Sequence, residues 1–123
     1  MPVRLRPADP AEVAAALSRR AAGASDREDE RLLVKHFLAV LSSRAPGGAV
    51  EVRVPPYAAA QVVGGTTHKR GTPPAVVELD ADTWLDLAVG RLGWGDAVAA
   101  GRVTASGERS DLSEHLPLGS LLG

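Results

Sequence analysis

The sequence predicts an α+β fold, a small and mostly antiparallel sheet of four or five strands covered by helices. Three observations carry that expectation. Residues 1–44 hold two segments with helix-starting punctuation and helical spacing. Val50, Val52 and Val54 alternate with Glu51 and Arg53, the period-two pattern of a half-buried strand. From Val76 to Leu118 the chain reads as strand, helix, short helix, strand and helix, with punctuation at each joint. Helices and strands that segregate along the chain in this way form α+β layers.

Taken in order, Asp9-Pro10 opens the first helix, with Asp as cap, Pro at the first helical position and Glu12 at the reciprocal capping position. Its large apolar residues are only Val13 and Leu17, and Gly23 ends it. Ser25-Asp26-Arg27-Glu28 is a second capping box, opening a helix that reaches to about Arg44. Asp26, Glu28, Asp29 and Glu30 sit at its start, where the helix dipole favours negative charge. Its second half is apolar around much of its girth: Leu32, Leu33, Val34, Phe37, Leu38, Val40 and Leu41. A turn at Ala45-Pro46-Gly47-Gly48 leads into the Val50–Val54 strand. Pro55-Pro56 interrupts the ladder, and Tyr57–Val63 is a second strand of small residues. Gly64–Gly71 reads as a hairpin loop, within which Thr66–Lys69 could add a strand, and Val76–Leu79 is the next strand.

Asp80 can cap a helix on which Trp84, Leu85, Ala88, Val89 and Leu92 recur at helical spacing, with Gly90 or Gly93 as its stop. Asp96–Ala100 is a short helix closed by Gly101, and Arg102–Ala105 alternates as a strand. Ser106-Gly107 turns the chain toward a last helix, opened by the D-x-x-E box of Asp111–Glu114. Thr83-Trp84-Leu85, Gly90-Arg91-Leu92, Asp96-Ala97, Gly101-Arg102-Val103 and Ser106-Gly107 fall in one order. That order resembles the C-terminal half of the sterol carrier protein family, and is closest to its small single-domain bacterial branch. The resemblance runs from about Val50 to the end and is absent from the first forty or so residues. It implies one sterol-carrier-like domain over 1–123, with two helices in 1–44 and the sheet and C-terminal helices in 49–123. It also implies either carriage of a lipid or a role as a module. Domains of this family are also found fused to metal-dependent thiol transferases.

Composition bounds the rest. The chain has 123 residues, 45% of them hydrophobic, with a formal net charge of -1 and no cysteine. One core suffices at that length. The charge argues against nucleic acid as a partner, and the absence of cysteine removes disulfides, thiolate metal sites and a cysteine nucleophile. No apolar run approaches the about 20 residues of a spanning helix, and the first ten residues lack the apolar middle of a signal peptide, so the expected location is cytoplasmic.

Candidate site residues follow from girth and charge. Leu33, Phe37 and Leu41 form one stripe, and Val34 and Leu38 extend it beyond what one sheet face needs. Helix one is too poor in large residues to cover that excess, so a ligand or a partner is expected to hide it. With the family resemblance added, Trp84, Trp94, Val98 and Leu112 are the expected opposite wall of an apolar pocket. His68, Lys69 and Arg70 could hold an anionic head group through charge-assisted bonds; the plainer reading is a solvated hairpin. His36, His68 and His115 show no metal-binding spacing, and His36 is expected to be partly buried and hydrogen-bonded to backbone. Asp80 and Asp82 resemble a catalytic pair, but two acids at a helix start are what capping prefers. No nucleophile–base constellation, metal site or cofactor motif is found.

The expected function is therefore non-enzymatic binding of a small apolar or amphipathic ligand of lipid or fatty-acyl type. The alternative is an interaction module, either a homodimer or a stand-alone partner of an enzyme.

Overall fold

A computed structural model of the chain describes residues 5–64, 75–107 and 110–118. Helix α1 spans Pro10–Ala21 and α2 Arg27–Arg44. Strands β1 (Val50–Val54), β2 (Ala58–Val62) and β3 (Ala75–Leu79) follow, then α3 (Ala81–Val89), α4 (Trp94–Ala99) and β4 (Val103–Ser106). The capping residues do what their chemistry predicts. The Asp9 carboxylate accepts from the N–H groups of Ala11 and Glu12, and that of Asp80 accepts from Thr83 N–H. Gly90 closes α3 in the left-handed conformation that lacks a steric penalty only for glycine. Asp26 rather than Ser25 caps α2: its carboxylate accepts from Asp29 N–H at 2.8 Å.

The four strands run in the order β2-β1-β3-β4. β1 pairs antiparallel with β2 and parallel with β3, and β3 pairs antiparallel with β4. The sheet is mixed, with two of its three pairings antiparallel. The parallel pair arises because the chain leaves β2 and re-enters beside β1. The fifth strand expected at Thr66–Lys69 lies outside the described residues.

Register sets one sheet face. Ala60, Val52, Val77 and Ala105 share one cross-strand row. Val50, Val52 and Val54 are buried, and so are Ala75, Val77 and Leu79. The alternate positions Arg53, Ala59, Gln61, Glu78 and Thr104 are exposed, so the helices cover a single face. Ala105 is exposed although its row is the buried one; on β4 the cover from α4 reaches Val103, which is half-buried.

Two sequence expectations are corrected. The last helix is a single 3-10 turn, Ser113–His115. Asp111 does bond Ser113 N–H at 2.8 Å, but Pro117 holds Leu116 extended and ends the turn. The apolar excess of α2 needs no outside cover either. Leu33, Val34, Leu38 and Leu41 are fully buried and Phe37 is 1% exposed within the chain itself. α1 packs on α2 through Val13 and Ala16, and α3 adds the rest of the helical cover by burying Ala81, Thr83, Trp84, Leu85, Leu87 and Ala88. A helix apolar on so many sides belongs in the middle of a domain.

Candidate functional site

The apolar layer between the sheet and α2 is where the expected ligand wall falls. Leu33, Phe37 and Leu41 lie on α2, Trp84 lies on α3, and Leu112 lies just before the 3-10 turn; all five are buried in one cluster. The indole N–H of Trp84 donates to the Val34 carbonyl at 3.4 Å, so the largest side chain of the core also satisfies its polar atom. Trp94 and Val98 sit apart from them on α4. Trp94 is partly buried against the core, and Val98 is 48% exposed. The seven residues thus divide between a sealed layer and a more open helix at its margin. His68, Lys69 and Arg70 lie outside the described residues.

Half-buried apolar residues border the layer. Val40 on α2, Ala58 and Ala60 on β2, and Val63 just past β2 are packed against the core without being enclosed. The inward side chains of β2 are small, and α2 packs directly on that strand.

Polar clasps hold the helices to one another around this layer. Arg19 makes a two-pronged pair with Asp29, 2.7 Å at each prong, joining α1 to α2. The Arg19 guanidinium holds the Asp29 carboxyl below the usual carboxylate range, mainly through those hydrogen bonds. Arg20 reaches Asp86 at 3.1 Å and Asp82 at 3.4 Å, joining α1 to α3. Arg102 donates to the Thr83 hydroxyl at 3.0 Å, joining the start of β4 to α3. His36 Nδ1 accepts the Ala8 N–H at 3.0 Å, as expected for a partly buried histidine bonded to backbone. These long-range partners left no signal in spacing, since each pair is joined only by the fold.

Beside the clasps opens a polar cleft of about 600 Å³, lined by Arg20, Gly23 and Ser25 at the α1–α2 junction, Glu30 on α2, Asp82 and Asp86 on α3, and Arg91 beyond it. Its Glu30 carboxylate accepts the Tyr57 hydroxyl at 2.7 Å. Sequence reading did not find this cleft, because its residues come from two stretches, 20–30 and 82–91, that only the fold brings together. No cluster among the described residues could hold a metal ion, and no helix among them is long and apolar enough to cross a membrane.

The elements that build the layer also decide the family. A protein-family model described as a bacterial SCP ortholog matches residues 26–118. The chain belongs to that family. The match starts at the Asp26 cap of α2, earlier than the Val50 at which the resemblance could be read, so α2 is part of the shared domain and α1 precedes it. The sterol-carrier-like fold class and the small α+β architecture follow together. A comparison with curated proteins finds no match.

Proposed function

We propose that this bacterial sterol-carrier-like protein binds and carries a small apolar or amphipathic ligand of lipid or fatty-acyl type, without catalysing a reaction on it. The observation that carries this reading is the family match over 26–118, which takes in all of α2, the sheet, α3 and α4. The apolar layer between α2 and β2 supports it: its margin of Val40, Ala58, Ala60 and Val63 offers apolar contact without large side chains to displace. An acyl chain entering there would spread α2 from β2 and exchange side-chain contacts for its own. Leu33, Phe37, Leu41, Trp84 and Leu112 would line the inner end, with Trp94 and Val98 toward the α4 side. Each methylene buried would contribute about 0.8 kcal/mol, so a long chain outweighs the packing it disturbs.

A second reading has its own observation. Because the α2 stripe is sealed within the chain, a ligand must open a packed layer, whereas Trp94 and Val98 are already presented on α4. On that reading the domain is an interaction module, self-associating or docking on an enzyme. Native mass spectrometry of the freshly purified full chain tests both. A monomer that carries a lipid-sized adduct, and takes up a fluorescent fatty acid after delipidation, supports carriage. A bare oligomer that takes up none overturns carriage and leaves the module.

A further inference from the structure

Of the five charged residues that line the polar cleft, four already have protein partners. Arg20 is paired with Asp82 and Asp86, and Glu30 holds the Tyr57 hydroxyl. Arg91 makes no side-chain hydrogen bond or ion pair among the described residues. An exposed guanidinium is satisfied by water, so that alone decides nothing. What matters is its place on the wall of a cleft whose volume, about 600 Å³, lies within the range of small-molecule sites. Such sites are usually apolar; this one is lined by charge, so its ligand must be polar.

The charge balance narrows the ligand class. Two guanidiniums face three carboxylates, a net charge of -1. A phosphate dianion would find one available guanidinium and a surplus of like charge, which costs affinity. A simple cation would leave Arg91 unanswered. Among the described residues the Asp82 side chain is held only by the 3.4 Å contact with Arg20, and it is 74% exposed, so it can take a second cationic partner. Glu30 is fixed by Tyr57 through Oε1, and its other oxygen has no protein donor among the described residues. We propose that this cleft binds a small zwitterion, an amino acid or short peptide, with its carboxylate on Arg91 and its ammonium on Asp82 and Glu30. The bidentate fork of Arg91 matches a carboxylate, and the Ser25 hydroxyl adds a neutral donor to the same cleft. The site is separate from the apolar layer, so it stands or falls independently of lipid carriage.

The test uses the full chain, two-dimensional amide NMR and three probes: glycylglycine, its C-terminal amide and its N-acetyl derivative. Glycylglycine is expected to saturate with a Kd at or below about 1 mM, shifting the amides of Gly23, Glu30 and Arg91. Blocking either end is expected to weaken binding by about tenfold or more, the scale of one charge-assisted contact. Arg91→Gln is expected to weaken glycylglycine about tenfold and leave the amide unaffected, with Arg91→Lys in between. Since the Arg91 side chain has no protein partner among the described residues, these variants should keep the thermal stability of the parent chain. Absence of saturable shifts, equal affinity for the three probes, or an Arg91→Gln chain that binds as well as the parent would each overturn the assignment.

Discussion

The Trp84 indole N–H reaches the Val34 carbonyl at 3.4 Å, tying the centre of α3 to the backbone of α2 across fifty residues of sequence. One side chain thereby fills the core and satisfies its own indole N–H, which burial would otherwise leave unpaired. Trp84→Ala is expected to lower unfolding free energy by about 3–5 kcal/mol in denaturant melts, the range for deleting a core aromatic. Trp84→Phe retains most of the volume and loses the donor, so it should cost less. A loss below about 1 kcal/mol for the Ala variant would contradict the packing described.

His36 ties residues 5–9 to α2 through the Ala8 N–H. The bond needs a neutral ring, because a protonated imidazole has no acceptor nitrogen. Burial pushes the His36 pKa below its ordinary 6.5, with no charged neighbour contributing. A lowered folded pKa means that the stability contributed is complete above the unfolded value of about 6.5 and is lost as pH falls through the folded one. Urea melts should therefore show the parent chain losing stability between about pH 7 and about pH 5, the window in which histidine charges. His36→Asn, which keeps an acceptor but not the titration, should give a flatter profile. His68 and His115 are common to both chains, so parallel profiles would mean that His36 does not carry the effect.

How much of this was legible in the sequence depends on the range of the interaction. Caps at Asp9 and Asp80, the αL stop at Gly90 and the alternation of Val50–Val54 are local, and each could be read directly. The burial of Trp84 followed from its stripe with Ala88. What hid the α2 stripe could not be read, because α3 crosses it only through the fold and the count of large residues on α1 gave no hint of that. The same holds for the cleft, whose charges stand at positions 20, 30, 82, 86 and 91. The last helix is short for a different reason: the capping box at Asp111 is local and opens a turn, but Pro117 follows too soon for a helix to form.

Arg19 and Asp29 join α1 to α2 by two bonds of 2.7 Å. Because the Asp29 pKa is lowered in the fold, its contribution is present above the unfolded value of about 3.9 and disappears as pH drops through the folded one. Asp29→Asn should destabilise the chain at neutral pH and flatten the acid limb of the stability profile. Arg19→Lys should restore little, since an ammonium cannot reproduce the parallel two-pronged contact. Thermal melts across the acid range check both, and an unchanged acid limb in Asp29→Asn would remove this pair from the account.

Two glycines separate backbone strain from crowding. Gly101 and Gly107 both have positive φ, 71° and 98°. A Cβ at Gly101 would meet nothing within 4 Å, whereas at Gly107 it would lie 2.8 Å from the Ala75 Cα and 2.9 Å from its Cβ. Gly101→Ala therefore carries only the left-handed penalty, about 1–2 kcal/mol. Gly107→Ala adds a collision with the first residue of β3, which is backbone and cannot swing aside, at a further cost of about 1–3 kcal/mol. Ala75 N–H donates to the Ala49 carbonyl at 2.9 Å, so the displacement would reach the parallel pairing of β1 with β3. Hydrogen exchange should then show faster opening of the β1–β3 amides in Gly107→Ala and not in Gly101→Ala. If the two variants are equally stable, or Gly101→Ala is the worse, the close approach of Gly107 to β3 is wrong.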